Sequence, residues 1–199
     1  MHGDEILEWI RPVSSRATEE LSASERRLDD GSAEPNLLDI LNIPLVEHRP
    51  TSCQTENHLI AEGESWTKAG RLEASAIPGL YQWPASLWTN GYNSYSGQND
   101  RIPEGEADAL TSSLLFIGPE NLRIHVQQGR RHRQVRAEFR MGTDDYNLVV
   151  TDPQMEHDFF NRGLGAYAYD YPCGMCVSIG EPFEGYRYKL VASIIALES

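Results

Sequence analysis

The residues with the clearest binding chemistry lie in one basic stretch, Gln127-Gln128-Gly129-Arg130-Arg131-His132-Arg133. An arginine guanidinium is planar and donates paired hydrogen bonds to phosphate or carboxylate. The three arginines of this stretch predict a phosphate contact, and Arg136 is predicted to extend it. A solvated hairpin tip that balances an acidic surface is an equally good interpretation of the same residues.

Aromatic side chains supply a second requirement for binding single-stranded nucleic acid. A base stacked on an aromatic ring contributes about 1–3 kcal/mol. Tyr186 and Tyr188 alternate, so an extended segment places both rings on one side. These two tyrosines are predicted to stack on bases, although aromatic residues also serve as core or interface anchors.

A second aromatic group is predicted to contact a protein partner. It lies in residues 83–103, which are rich in Gly, Asn and Ser, and loops of this length often carry function or an interface. The predicted partner-binding residues are Trp83, Trp88, Tyr92 and Tyr95.

The elements that must position these residues follow from hydrophobic alternation. Three strands, one helix and two strands are predicted in turn, the order of a five-stranded OB-type barrel, which holds ligands with its strand 1–2 and strand 4–5 loops. The basic stretch then lies in the 1–2 loop and residues 180–185 form the 4–5 loop. The predicted strands are 114–117 with 122–126, 135–140, 146–150, 175–179 and 189–195, and the helix is 152–161, capped by Asp152 and Pro153.

The N-terminal half gives weaker signals. Ser22 and Glu25 form a capping-box pattern, which predicts a short helix over 22–28. A helical turn is predicted in 104–112, and a domain boundary divides the chain into 1–103 and 104–199. The polar segments 54–57 and 99–101 are predicted to pin the two halves together. Strands are predicted at 6–13, 37–45, 54–60 and 65–72.

The net charge of −13 argues against non-specific binding of nucleic acid. The excess of acid is uneven, because residues 1–100 hold 16 Asp and Glu against 7 Lys and Arg, and residues 101–199 hold 14 against 10. A local basic site remains compatible with this total, since exposed charges are screened beyond about 8 Å at physiological salt.

Catalytic and metal-binding patterns are weak. Cys173 and Cys176 have C-x-x-C spacing without the second pair that a zinc site needs, so no metal or cofactor is predicted. There is no phosphate-binding Gly-rich loop, nucleophile elbow or H-E-x-x-H, which predicts a non-enzyme. An enzyme using Cys53 and His48 is the weakest alternative. Sparse cysteines, no apolar run of about 18 residues and no signal-peptide pattern predict a cytoplasmic protein without membrane contact.

Seven segments of the chain carry a family resemblance. They are Trp9-Ile-Arg-Pro-Val-Ser14, Leu38-Asp-Ile40, Gln54-Thr-Glu-Asn57, Asn99-Asp-Arg-Ile-Pro103, Tyr146-Asn-Leu-Val-Val-Thr-Asp-Pro153, Val177-Ser-Ile-Gly-Glu-Pro-Phe-Glu-Gly-Tyr186 and Tyr188-Lys-Leu-Val-Ala-Ser-Ile-Ile195. Together these segments resemble the prokaryotic dual OB-containing domain proteins. The resemblance implies two tandem OB barrels with short helices, a mainly β fold, and a nucleic-acid role in prokaryotic antiviral defence. It also implies that the family's first strand is missing, which leaves a barrel edge open to another chain.

The predicted function is therefore binding of single-stranded or structured nucleic acid, or of a nucleotide signal, in a defence system. The alternative is a protein-interaction module that docks on and regulates an effector. A protein partner or a homo-oligomer is expected in either case.

Overall fold

The structure, a computed structural model, describes residues 8–31, 34–129 and 132–197. Arg130 and Arg131 of the basic stretch therefore lie outside the described residues. Within the described ranges, no helix has the length and apolar character needed to cross a membrane.

The described residues form short strands in the N-terminal half and long strands in the C-terminal half. Two α-helices, α1 (Glu104–Ala107) and α2 (Pro153–Phe160), and a 3-10 helix (Ala74–Leu80) accompany them. The strands are β1 (Arg11–Val13), β2 (Asp39–Asn42), β3 (Leu45–His48), β4 (Asn57–Ile60), β5 (Thr67–Arg71), β6 (Arg101–Pro103), β7 (Leu114–Ile117), β8 (Glu120–Gln128), β9 (Arg133–Met141), β10 (Asp144–Val150), β11 (Gly165–Ala168), β12 (Cys173–Phe183) and β13 (Tyr186–Ala196).

The C-terminal sheet has the strand order β11-β8-β9-β10-β13-β12-β7. Strands β7 and β8 together correspond to the first predicted strand. They are consecutive in the chain, yet they lie near opposite ends of this strand order. Strand β10 pairs in parallel with β13, whereas β8, β9 and β10 form an antiparallel meander. The predicted strands and helix occur in the predicted order, with two differences: the first strand is divided into β7 and β8, and the additional strand β11 follows α2.

Side-chain alternation along these strands produces the main core. Every second residue of β8, β9 and β10 is buried, as expected for strands with one face in a barrel interior. The opposite faces of β9 and β10 carry mostly polar residues, among them Gln134, Arg136 and Asn147. Fully buried core residues include Ile124, Ala137, Leu148, Met175 and Val191.

Asp152 begins α2 as the sequence predicts. Its Oδ1 accepts hydrogen bonds from the backbone N–H groups of Gln154 at 2.9 Å and Met155 at 3.2 Å. Its Oδ2 accepts another from the backbone N–H of Ile194 at 3.1 Å. One carboxylate therefore caps the helix and ties it to β13.

The N-terminal half forms two small sheets around a minor core of Leu28, Ile60 and Trp66. One sheet has the order β1-β4-β3 and the other pairs β2 with β5. The predicted strand over 37–45 is interrupted at residues 43–44, so β2 and β3 belong to different sheets. Proline has no backbone N–H to donate, so Pro44 cannot take part in a continuous ladder.

The predicted helix at 22–28 is a turn. The capping-box bonds do form, since Glu25 accepts from the Ser22 backbone at 2.7 Å and its own N–H donates to Ser22 Oγ at 3.3 Å. The chain then leaves the turn at Leu28, which bridges in parallel to Trp66. The run makes a single i→i+4 backbone hydrogen bond, from Arg26 N–H to the Ser22 carbonyl at 3.2 Å, which is too little to offset the cost of helix nucleation.

Polar side chains join the two halves at residues 54–57, as predicted. The Glu56 carboxylate accepts from the Ser113 backbone at 2.6 Å, the Ser113 hydroxyl at 3.0 Å and the Leu114 backbone at 3.0 Å. Gln54 Nε2 donates to Glu181 Oε1 at 3.0 Å. Glu56 is buried, so these bonds replace its lost hydration.

Residues 82–103 pack on the C-terminal barrel, although the domain prediction assigns them to the N-terminal unit. Leu87 is fully buried in the barrel core, and its backbone N–H donates to the Tyr146 hydroxyl at 2.9 Å. Gln98 exchanges backbone hydrogen bonds with Asn147 of β10, and β6 pairs with β13. We call residues 92–100 the strap, because they cross the outer face of the barrel.

Candidate binding groove

A groove of about 570 Å³ lies on the outer face of the C-terminal barrel, between the 1–2 loop and the β12–β13 hairpin. Small-molecule pockets occupy about 300–1,000 Å³. Its walls come from β9, β10, β13, the hairpin tip and the strap. The lining residues are Ser94, Tyr95, Ser96, Asp100, Arg101, His132, Gln134, Arg136, Val149, Phe183, Glu184, Tyr188 and Leu190.

Three aromatic rings of the groove face solvent. Tyr188 faces outward because Arg187 and Lys189 beside it are buried on the opposite side of β13. Its ring centroid lies 6.3 Å from that of Phe183, which is 52% exposed. Tyr95 of the strap is 95% exposed. The groove therefore presents an aromatic surface with little to cover it.

Tyr186, which the sequence pairs with Tyr188, does not line the groove. The Arg101 guanidinium covers its ring at 4.0 Å from the centroid, and Tyr92 lies 6.5 Å away. Tyr186 thereby supports Arg101, which does line the groove. Sequence reasoning missed Phe183 as a groove residue, although an aromatic residue in the predicted 4–5 loop is a signal for it.

A buried ion pair attaches the strap to the barrel. Arg136 Nη2 lies 2.9 Å from Asp100 Oδ2, and both side chains are 2% exposed. Arg136 also donates to the Asn147 side-chain and backbone oxygens, each at 2.6 Å. Burial lowers the pKa of Arg136, and the Asp100 carboxylate opposes that shift. These partners explain the burial of Arg136, and its predicted phosphate contact stays a prediction.

Glycine is required where the strap passes this ion pair. A Cβ on Gly97 would lie 1.7 Å from Asp100 Oδ2 and 2.3 Å from Arg136 Nη2. Any larger residue would have to move the strap or break the pair. The strap therefore lies directly on the guanidinium.

The two basic-stretch residues His132 and Arg133, which the structure describes, lie in different surroundings. His132 lines the groove. Arg133 is exposed and donates to the Phe160 carbonyl at 3.3 Å, at the end of α2, and it is not a groove residue.

The family model described as the dual OB-containing domain matches residues 1–194. The chain belongs to the dual OB-containing domain family. This membership confirms the resemblance seen in the sequence segments. Searches among curated proteins and among solved structures returned no match. In this dual OB protein the groove lies at the loops where OB folds hold their ligands.

The four aromatic residues predicted to bind a partner do not form one surface in this dual OB protein. Trp83 is 71% exposed and makes an edge contact with Tyr81 at 5.9 Å. Trp88 packs against the barrel core. Tyr92 donates to Glu106 Oε1 at 2.7 Å, and this hydrogen bond raises the pKa of Tyr92. Tyr95 belongs to the groove.

The cysteines of this dual OB protein have the surroundings of packed thiols. Cys53 is fully buried and burial raises its pKa, while burial raises the pKa of Cys173 to about 11. A thiol with a raised pKa is a weak nucleophile at neutral pH. His48 contacts the Thr55 carbonyl at 2.7 Å and stacks on His58. Among the described residues, no group of three or more His, Cys, Asp or Glu is placed to hold a metal ion.

Proposed function

We propose that the groove binds a nucleotide unit, either of a single-stranded nucleic acid or of a nucleotide signal. The observation that carries the proposal is the set of three solvent-facing rings, Tyr95, Phe183 and Tyr188, beside Arg101. Every base has a face that stacks on an aromatic ring, and a guanidinium pairs with phosphate. The ligand's base would lie on the rings and its phosphate near Arg101.

The charge of the groove differs from that of the chain. Two arginines and two acids line it, Arg101 and Arg136 against Asp100 and Glu184, whereas the chain carries −13. Because the described groove is close to neutral, stacking supplies most of the binding energy. Salt dependence should then correspond to about one phosphate contact, a slope of about −0.7 in log K against log salt.

The biological setting that we propose is prokaryotic antiviral defence. Support for it comes from the family resemblance, and fold-level analogy is an associational argument. In that setting the chain would act as a recognition component rather than as the effector.

Fluorescence anisotropy with labelled single-stranded DNA, single-stranded RNA, duplex and mononucleotide tests the proposal. Tyr95→Ala should weaken binding by about 5- to 150-fold, equivalent to the loss of one stacking contact. Tyr95 is almost fully exposed, so the change leaves the fold intact. Tyr171→Ala is the matched control, because Tyr171 is 70% exposed and does not line the groove. Equal affinities of the two variants would refute the assignment.

Docking on a protein partner is the second candidate function, and the exposed Trp83 favours it. A tryptophan with 71% of its surface in solvent is a common anchor in protein interfaces. Absence of nucleotide binding at low salt would refute the first proposal and make Trp83 the residue to test.

A further inference from the structure

We infer that the strap restricts the groove to a short ligand: a free nucleotide, or the last one or two nucleotides of a strand. The inference rests on the proposed function, because it specifies the ligand of the same groove. A continuous single strand that runs across the barrel face is the class of ligand that it excludes.

The strap divides the outer face of the two central strands. On β9 the outward residues Gln134, Arg136 and Glu138 follow one another along the strand. Gln134 lines the groove, and Arg136 is 2% exposed beneath the strap. Glu138, two residues farther on, has a side chain that is 47% exposed. The face is therefore open on both sides of the strap and closed under it.

Strand β10 meets the strap at its edge. Val149 lines the groove, and Asn147 exchanges backbone hydrogen bonds with Gln98 of the strap at 3.0 and 3.3 Å, as neighbouring strands of a sheet do. Asp145 lies beyond this bridge, with 47% of its side chain exposed and an ion pair to Arg140. The strap is therefore anchored at the edge of β10, next to the point at which it covers Arg136 of β9.

Several hydrogen bonds hold the strap in place. Asp100 accepts from the Ser94 backbone at 2.7 Å and from its hydroxyl at 2.5 Å, in addition to the pair with Arg136. Asn99 Nδ2 donates to the Asp145 carbonyl at 3.0 Å. Displacement of the strap by a ligand would leave the buried Arg136 guanidinium without its carboxylate partner, which is strongly unfavourable.

The size of the groove also opposes a continuing strand. OB folds that follow single strands contact about 4–16 nucleotides along an open, positively charged groove. Beyond the strap the outer face carries charges of both signs, because Glu138 lies 2.9 Å from His125 and opposite the exposed Arg123. The groove's volume, about 570 Å³, is that of a small-molecule site.

A length series tests the inference. Labelled oligothymidylates from one nucleotide to about 16, the upper site size of an OB fold, are titrated against the full chain. We expect the affinity to stop rising with strand length at about two nucleotides. An affinity that keeps rising by about tenfold or more toward the longest strand would overturn the inference while supporting the proposed function. Absence of binding at every length, together with absence of binding to the RNA and mononucleotide probes of the anisotropy experiment, refutes the proposed function itself.

A variant that moves the strap gives a second measurement. In Gly97→Ala the new Cβ conflicts with the Asp100–Arg136 pair, so the strap must lift from the face. The longest strand should then bind about tenfold better than the dinucleotide. Gly79→Ala, with no atom within 4 Å of its new Cβ and no strap contact, should behave as wild type. If Gly97→Ala retains a normal circular dichroism spectrum and the wild-type length limit, the strap is not the barrier. If it fails to fold, the wild-type series alone decides.

Discussion

At the residue scale, Asp100 is the group on which the groove most depends. Its carboxylate pairs with Arg136, and its backbone carbonyl accepts from the Lys189 N–H at 2.9 Å. One residue therefore connects the strap, β9 and β13. The sequence predicts a polar cluster at 99–101, but it gives no indication that Arg136 is the partner of Asp100.

Lys189 is buried on the face of β13 opposite Tyr188, in a place that charged residues rarely occupy. It is 1% exposed, and its Nζ donates to the Thr89 carbonyl at 2.7 Å and to Asn90 Oδ1 at 2.9 Å. Burial lowers the pKa of Lys189 from 10.5 to about 7, while the carboxylates of Asp100 and Asp144 oppose the shift.

The stability of the protein should therefore rise with pH above about 7. Below that pH Lys189 is protonated in both the folded and the unfolded state, so the full cost of burying its charge lowers the stability. Between about 7 and 10.5 the folded state releases the proton that the unfolded state retains. The free energy of unfolding then rises by up to about 1.4 kcal/mol per pH unit.

Urea unfolding of the wild type and of Lys189→Met at about pH 6.5–8.5 measures this contribution. The difference between the two proteins isolates Lys189, because other titrating groups are common to both. Parallel pH profiles would show that Lys189 keeps its charge when folded.

At the element scale, α2 depends on a single side chain at its start. Asp152→Ala removes two cap hydrogen bonds and leaves the Ile194 N–H without an acceptor. We expect a loss of about 1–3 kcal/mol in the free energy of unfolding. Thermal or urea denaturation measures it. Asp158→Ala, on the exposed side of the same helix, should change stability by less than about 0.5 kcal/mol.

The elements predicted from the sequence are those with a local signal. Alternation identifies β8, β9, β10 and β13, and Asp152 with Pro153 identifies α2, because each pattern is complete within its own segment. Strand β11 has no such signal: its residues are Gly165-Ala-Tyr-Ala168, three of them exposed, and it forms by pairing with β8.

The same limit applies to the candidate site. Tyr188 is predictable from alternation on β13. The strap is not, because its attachment depends on pairs distant in sequence, such as Asp100 with Arg136. Tyr95 is predicted from the sequence to contact a protein partner, and only the folded chain shows that it lines the same groove as Tyr188.

At the scale of the whole molecule, Glu56 couples the two halves. Its carboxylate receives three hydrogen bonds from Ser113 and Leu114, at the start of the C-terminal barrel. Glu56→Gln replaces one acceptor oxygen with a donor, which should lower the free energy of unfolding by about 1–3 kcal/mol.

Loss of this coupling should also separate the unfolding of the two halves. Urea titrations followed by tryptophan fluorescence and by circular dichroism should coincide for the wild type and diverge for Glu56→Gln. Glu64→Gln, at an exposed position in the N-terminal half, is the control and should leave the transitions coincident. Coincident transitions in all three proteins would show that other contacts couple the halves.

The place of β13 in the chain has a consequence for the order of events during synthesis. This last strand pairs with β6, β10 and β12, and it supplies Tyr188 and Leu190 to the groove. Lys189 reaches back 100 positions to the Thr89 carbonyl. Contacts between such distant segments form late, after the ends of long loops have met. On the ribosome the groove therefore cannot be assembled until β13 has emerged, so a nascent chain that still lacks this strand cannot bind its ligand.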